Sequence, residues 1–227
     1  EEGPHASGAN VTLAQVTLHS YLYSSKVVKL SWQLLQDSET EWEGFLARIF
    51  GTRLGRIQNT KYTTGSGAAT AKGIVTCAAA GVTAASANAI AFDEIIDLEH
   101  SLDPSRRNMP GVGYMFHDNV LKALRKLKDG MGQYLWQSGA NSGAPDTLNR
   151  YPYQINQDMA SSIATTAITM LFGQLSAYKI RQVASIRLYR LEERYRDTDQ
   201  DGFIAFVEGD GNLLDAGDNP VKKLTQA

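Results

Sequence analysis

Apolar and polar residues alternate in the first part of the chain. Val16, Leu18 and Leu22 are separated by polar residues, and this period of two predicts an extended strand. Two interpretations of residues 11–30 remain open. One is a single long strand that projects and packs on another subunit; the other is two ordinary strands separated near Ser24.

The clearest helical pattern lies in residues 41–62. Ser38 and Glu41 form a capping-box pattern in front of it, which is typical of a helix start. The apolar stripe behind the cap recurs at helical spacing and consists of Trp42, Phe45, Leu46, Ile49, Phe50, Leu54 and Ile57. Interior glycines each cost about 1 kcal/mol relative to alanine. Packing must therefore hold this helix in place.

The polar side of the same helix is basic. A solvated surface is the default interpretation of such residues, and an intersubunit role is the alternative. The residues are Arg48, Arg53, Arg56 and Lys61.

The remaining elements are shorter and mixed in type. Apolar residues predict a second helix at residues 92–98, stopped at Asp103, and a third helix capped by Asp118. Strands are predicted at residues 114–116, 167–172, 185–195, 203–207 and 221–224, and a long loop at residues 129–150. The order has no regular βαβ repeat, so the predicted fold class is α+β.

Composition excludes several functions. The net charge is −2, with 22 basic and 24 acidic side chains, so the chain lacks the basic excess of a protein that neutralises many phosphates. No apolar run reaches the roughly 20 residues needed to span a bilayer, and no signal peptide opens the sequence. The single cysteine, Cys77, forms no intrachain disulfide and is interpreted as a small buried hydrophobe.

Residues 197–208 match the calcium loop of an EF-hand. The acidic positions are met by Asp197, Asp199, Asp201 and Glu208, with Gly202 at the turn position. Alternate carboxylates on a tight turn can converge on one hard cation.

The flanking sequence favours a β-hairpin instead. Residues 209–220 are rich in glycine, aspartate and asparagine, so they do not predict the exiting helix that an EF-hand requires. Residues 186–191 alternate apolar and polar, and residues 203–207 are their expected strand partner. In this interpretation residues 199–202 form the turn. A calcium-binding interaction module at residues 197–208 stays as an alternative function.

No other pattern predicts catalysis or a cofactor. The four histidines show no metal-ligand spacing with each other or with Cys77. The glycine-rich turn at residues 63–67 lacks the lysine that ends a phosphate-binding loop. We therefore predict no enzyme activity, no catalytic, cofactor-binding or metal-binding residues, and no cofactor.

Four regions together resemble the major capsid proteins of tailed bacteriophages, the Hong Kong 97-type family. Residues 16–31 followed by Leu-Leu-Gln-Asp-Ser at 34–38 are similar to the strand of the family's extended loop and its signature. The helix that closes at Gly65, with Lys-Gly-Ile at 72–74, is similar to the family's spine helix. Residues 128–136, with Tyr-Pro at 151–152, Leu-Phe-Gly at 171–173 and Tyr178, are similar to its axial domain, and residues 190–211 to the strand pair of its peripheral domain.

The resemblance implies a domain arrangement. It assigns residues 1–31 to part of the extended loop, 32–90 to a peripheral domain with the spine helix, 91–184 to an axial domain, and 185–227 to the strand pair and last strand of the peripheral domain. In the family, the axial domain gathers around five-fold and six-fold axes.

The resemblance also implies a function. The chain is expected to be a structural subunit of a phage or prophage shell that encloses the genome, with itself as partner in pentamers and hexamers. Scaffold, portal and maturation protease are further expected partners of the parent protein, and no sequence-specific nucleic acid or membrane is expected. The protein is expected to be assembled in the cytoplasm of the bacterial host and to be located in the virion capsid. An encapsulin-like compartment is the nearest alternative.

The chain also departs from the family pattern. The family's N-terminal arm and first extended-loop strand have no counterpart, so we expect a processed or truncated product. Some members join subunits by a Lys-to-Asn bond with a glutamate base. Lys26, Lys29, Glu192, Glu193 and Glu208 do not complete such a set, and no crosslink is predicted. Contacts of the arm with a neighbour are expected at Tyr21, Leu22, Tyr23 and Val27.

Overall fold

The computed structural model describes residues 15–37, 42–136, 147–183, 185–214 and 218–227. Within these ranges the strands form two sheets, one of five strands and one of six. Helices cover the sheets, so the predicted α+β class is reproduced.

The first sheet is organised around one long strand, β10 (Gln200–Leu213). Strands β1 (Tyr21–Ser24) and β2 (Val28–Ser31) both pair antiparallel along one edge of it. Strands β8 (Tyr178–Gln182) and β9 (Arg187–Leu191) pair along the other edge. The interpretation of two strands near the N-terminal side is thus correct, and residues 21–31 lie within this sheet instead of projecting from it.

Two helices follow β2. Helix α1 (Trp32–Asp37) is short, and helix α2 (Trp42–Thr64) is the long helix predicted at residues 41–62. The capping residues Ser38 and Glu41 lie outside the described residues. Three α2 side chains are buried against Tyr23, Ala205 and Val207 of the first sheet, and they are Leu46, Phe50 and Leu54.

The predicted apolar stripe of α2 was too wide. Trp42, Ile49 and Ile57 are only half-buried, and Phe45 is 36% exposed. A single sheet covers one arc of a helix, so side chains at the edges of the stripe remain near solvent.

The second sheet has the order β3 (Ala79–Thr83), β11 (Val221–Thr225), β7 (Ile168–Gln174), β4 (Val112–Phe116), β6 (Tyr151–Ile155) and β5 (Thr147–Leu148). Strand β11 pairs parallel with β3 and antiparallel with β7. Strands β4 and β7 are buried on both faces, which explains their nearly continuous apolar sequences.

Short helices pack on the second sheet. They are α3 (Ile74–Cys77), α4 (Phe92–His100), α5 (Pro104–Arg107) and α6 (Asp118–Arg125). The helices predicted after Phe92 and at Asp118 are present, but the N-cap of α6 is His117. Its Nδ1 accepts a hydrogen bond from the backbone N–H of Asn119 at 3.0 Å.

Two clusters of buried side chains lie on opposite faces of this sheet. Met170 and Phe172 of β7 pack with Ile95 of α4 and Leu124 of α6. Leu171, between them in sequence, packs into a second cluster with residues that include Ile74 and Leu213. Because successive strand residues point to opposite faces, one strand supplies both clusters.

Three strands belong to a different sheet from the other strands of their predicted domain. Strands β3 and β11 fall in ranges assigned to the peripheral domain, yet they belong to the second sheet with β4 and β7. Strand β8 falls in the axial range, yet it pairs with β10 in the first sheet. The domain boundaries themselves stay a prediction. Among the described helices, none is long and apolar enough to cross a membrane.

Candidate assembly surfaces

The first exposed surface lies around β1. Leu22 is 57% exposed and points away from α2, as expected for a contact residue. Tyr23 is an exception to the expected set, because it is buried and its hydroxyl accepts a hydrogen bond from the backbone N–H of Ala71 at 3.3 Å. Tyr21 and Val27 are half-buried. Only Leu22 of the four thus presents most of its side chain to solvent.

A neighbouring apolar cavity of about 550 Å³ opens between α1, α2 and β9. Trp32 and Leu188 on its wall are 46% and 53% exposed. The indole Nε1 of Trp42 is buried there with no hydrogen-bond partner among the described residues. Because large apolar side chains are exposed on its wall, the cavity is a candidate contact surface. Its remaining lining residues include Leu46, Ala47, Arg190 and Phe203.

A second exposed surface lies at a tight hairpin of residues 127–135. Asp129 holds the turn, since its Oδ1 accepts hydrogen bonds from the N–H groups of Met131 and Gln133, both at 2.9 Å. Leu135 N–H closes the hairpin by donating to the carbonyl of Leu127 at 3.0 Å. Met131 at the tip is 90% exposed. Sequence reasoning placed this segment in a long loop and missed the hairpin, although Asp-Gly-Met-Gly is a recognisable turn sequence.

The Asp-rich segment is a connection between strands, but its turn lies earlier than predicted. Residues 196–198 form a 3₁₀ turn, and Asp199 has a left-handed conformation with φ 52°. Gln200, Asp201 and Gly202, predicted as turn residues, are the first residues of β10. These three residues pair with β2 in the sheet instead of forming a tight turn. The predicted pairing of residues 186–191 with 203–207 is confirmed.

The same strand separates the proposed calcium ligands. Asp201 and Glu208 are seven residues apart on β10, which corresponds to roughly 23 Å in an extended strand. Each already pairs with an arginine, Asp201 with Arg190 and Glu208 with Arg187. One cation cannot be bound by both carboxylates in this conformation.

Two half-buried tyrosines, Tyr62 and Tyr178, and Cys77 at the end of α3 have raised pKa values. Tyr178 donates a hydrogen bond to the carbonyl of Lys72 at 2.9 Å. Burial, followed by the influence of Tyr23, raises the pKa of Tyr62 to about 12. Burial also raises the pKa of the Cys77 thiol, which stays protonated and is a poor nucleophile. Cys77 is half-buried instead of fully buried as predicted.

The glycine-rich exit of α2 has a packing role. A side chain at Gly65 would collide with the carbonyls of Lys61 and Ala71, and one at Gly73 with the carbonyl of Thr63. These glycines let two backbone segments cross at close range. Within the described ranges, no three His, Cys, Asp or Glu side chains are grouped so that they could hold a metal ion.

Comparison with known proteins gives a consistent result. A sequence model described as the phage capsid family matches residues 1–225. No curated protein matches significantly. Among solved structures, the capsid of a native GTA particle superposes with a TM-score of 0.86 and 24% identity, covering 100% of this chain and 80% of that one. The capsid of an empty GTA particle gives a TM-score of 0.82 and 23% identity, covering 99% and 81%.

A more distant structure shares the architecture. The protein of Gordonia phage Cozz superposes with a TM-score of 0.66 and 13% identity, covering 100% of this chain and 79% of that one. The two sheets, the long helix and their order along the chain are thus those of a capsid protein, and the predicted Hong Kong 97-type fold is confirmed. Since the family model covers nearly every residue, the chain belongs to the phage capsid family.

Proposed function

We propose that this chain is the repeated subunit of an icosahedral phage or prophage shell, in which it assembles with copies of itself into pentamers and hexamers around the genome. One observation carries the proposal. The sequence model of a capsid family matches residues 1–225, and a capsid structure superposes on the complete chain.

The exposed apolar surfaces fit such assembly. A closed shell requires one surface of each copy to bind a different surface of the next copy. The cavity beside Trp32 lies at the first sheet, and the hairpin tip at Met131 lies in the connection that follows α6. Both expose apolar side chains. Stable interfaces bury about 1,200–2,000 Å² in total. Several interfaces of moderate size per subunit would therefore together stabilise the shell.

The cavity beside Trp32 is suited to an extended segment of a neighbouring copy. The apolar side chains of such a segment would cover Leu188 and Trp32. Leu22, more than half exposed, would contact a neighbour from the opposite face of the sheet.

The hairpin tip is suited to contacts around a rotation axis. In this proposal Met131 packs on equivalent tips of its neighbours, because methionine adapts to irregular surroundings. A turn held by Asp129 presents the tip with little conformational freedom, which lowers the entropy lost on binding.

The proposed setting follows the family. The subunit resides in the virion capsid and is assembled in the cytoplasm of a bacterial host. Scaffold, portal and maturation protease are its proposed partners, and it catalyses no reaction and takes no cofactor. The encapsulin-like alternative draws no support from the GTA capsids and the phage protein compared above.

Electron microscopy of the protein, expressed alone and together with a companion protease, tests the proposal. Uniform round shells or ordered rings of five and six subunits are the expected result. A protein that stays monomeric at all salt and protein concentrations would overturn the proposed function while leaving the fold assignment intact.

A further inference from the structure

One side of α2 carries a group of cations that the assembly surfaces do not use. We call Lys26, Arg48, Arg53 and Arg56 the basic patch. Arg48 and Arg56 are exposed, and their eight-residue separation places them about 12 Å apart along the helix and about 80° around it. Arg53 lies about 60° around the helix from Arg56 but about 140° from Arg48, so it extends the patch on the Arg56 side only. It donates a hydrogen bond to the backbone carbonyl of Lys26 at 3.2 Å, which places the exposed Lys26 at that edge.

No acidic residue of α2 neutralises the patch. Glu43 is the single acidic residue of the helix, and it lies about 140° around the axis from Arg56. Lys61 has the same rotational position as Glu43 and is half-buried, so the expectation that it lines the same side was wrong. Neither Arg48 nor Arg56 forms a salt bridge within the described part of the chain.

The helix surface beside Arg48 carries two glycines. Gly51 and Gly55 lie about 60° and 20° around the helix from Arg48, and no other atom of the described residues lies within 4 Å of a Cβ built at either position. Each costs about 1 kcal/mol of helix propensity relative to alanine. No packing among the described residues requires them, so a bulky backbone can approach the helix here. Towards the C-terminal end of α2, Asp158 accepts a hydrogen bond from Thr60 at 2.9 Å. The negative charge of Asp158 marks the boundary of the patch on that side.

We propose that the basic patch contacts the sugar-phosphate backbone of double-stranded DNA, without sequence preference. Guanidinium groups bind phosphate oxygens through two parallel hydrogen bonds, and four cations are enough for weak binding that depends on salt. The inference rests on the proposed function, because it identifies this helix face as the one turned towards the enclosed genome.

The composition of the patch favours DNA over a second copy of the chain. Protein interfaces are anchored by buried aromatic or aliphatic side chains. Among the described large apolar residues that are exposed, only Phe45 belongs to α2, and it precedes the patch. A surface of arginine, glycine and threonine suits a highly charged, hydrated partner. The overall net charge of −2 means that attraction to DNA must be local to such a patch.

The test compares two double variants that remove equal charge. Arg48→Gln/Arg56→Gln changes the patch, and Lys122→Gln/Lys126→Gln removes two exposed lysines on or next to α6. Binding of a short labelled DNA duplex is followed by fluorescence anisotropy from about 50 to 200 mM salt. Assembly of each variant is examined by electron microscopy, and folding by thermal melting.

We expect the arginine variant to bind DNA at least about tenfold more weakly and to lower the slope of log affinity against log salt by about 1.8. The lysine variant should keep most of the affinity, and shells should form in both. Unchanged DNA affinity in the arginine variant would overturn the inference. So would a loss of assembly with unchanged DNA affinity, because the patch would then bind an acidic surface of a second copy. Failure of the unmodified protein to form shells would instead reject the proposed function.

Discussion

Nη2 of Arg190 on β9 lies 2.6 Å from Oδ2 of Asp201 on β10. The Asp201 side chain is only 10% exposed, whereas that of Arg190 is 44% exposed. Arg190 also lies over the ring of Trp32, with its guanidinium carbon 5.9 Å from the ring centroid. One arginine thus joins β9, the start of β10 and the short helix that borders the apolar cavity.

Replacing Arg190 with methionine is expected to destabilise the fold. The change leaves the Asp201 carboxylate largely buried without its charged partner, and an unsatisfied buried acceptor costs about 1–3 kcal/mol. Urea denaturation measures the loss. Arg187→Met on the same strand is the control: its partner Glu208 is 28% exposed, so the loss there should be about 0–1 kcal/mol. Equal losses in the two variants would contradict the importance of the Arg190 pair.

Truncation of the long helix should show where its packing is concentrated. Leu54 is 2% exposed, so Leu54→Ala is expected to lower the unfolding free energy by about 2–5 kcal/mol. Trp42→Ala should cost less than the about 3–5 kcal/mol that is typical of a fully buried tryptophan, because Trp42 is half-buried. Chemical denaturation of both variants decides the order. A larger loss at Trp42 would mean that the cavity beside it is closed in solution.

Calcium should not stabilise the protein. The carboxylates of Asp201 and Glu208 are separated along one strand, so no ligand set forms around a single ion. Thermal melting with and without millimolar calcium measures this directly. A rise in melting temperature that disappears in Asp199→Ala would revive the calcium-binding interpretation.

Alkaline pH should destabilise the fold partly through Tyr62. Its pKa is raised from 10.0 to about 12 by burial, so the folded state favours the neutral phenol. This contribution is complete below pH 10 and is lost as the pH rises from 10 towards 12. Melting temperatures across this range should fall less steeply in Tyr62→Phe than in the unmodified protein.

Tyr178→Phe is the matched control at neutral pH. The Tyr62 hydroxyl is buried near Gln58 but forms no hydrogen bond of ordinary geometry within the described residues. Its removal should leave stability at pH 7 unchanged or increased. Tyr178 instead donates to the carbonyl of Lys72, so its loss should destabilise by about 0.5–1.5 kcal/mol. Destabilisation of the same size in both variants would show that Tyr62 has a partner.

The hairpin tip provides a test of assembly that does not depend on stability. Met131→Asp places a charge on a 90% exposed position, where it should prevent rings and shells but leave the melting temperature of the monomer unchanged. Met131→Leu keeps an apolar side chain and should assemble. Normal shells from the aspartate variant, seen by electron microscopy, would remove the hairpin from the assembly contacts.

The sequence predicted those elements whose apolar spacing is unambiguous. Helix α2 and strands β4 and β7 were found because their core residues recur at one period or fill one buried run. Strand β3 was missed because Ala-Ala-Gly-Val-Thr has little side-chain signal, and β6 because Pro152 argues against an inner strand.

The assembly surfaces were less predictable than the fold. Tyr23 and Leu22 are adjacent in a strand, and only the position of α2 decides which of them is buried. The full length of β10 was not predicted from apolar spacing, since residues 209–212 are mostly glycine, aspartate and asparagine. Gly209 and Gly211 are required there because the Tyr62 hydroxyl and the Tyr178 ring occupy the space that side chains would need. Such tertiary contacts leave no local pattern.

The position of β11 between β3 and β7 has a consequence during synthesis. Strand β3 is made more than a hundred residues before β11, yet it has no partner in the sheet until residues 221–225 have left the ribosome. The first sheet, completed by residue 213, can form earlier. The order of translation therefore separates the two cores in time, and the one built on β11 closes last.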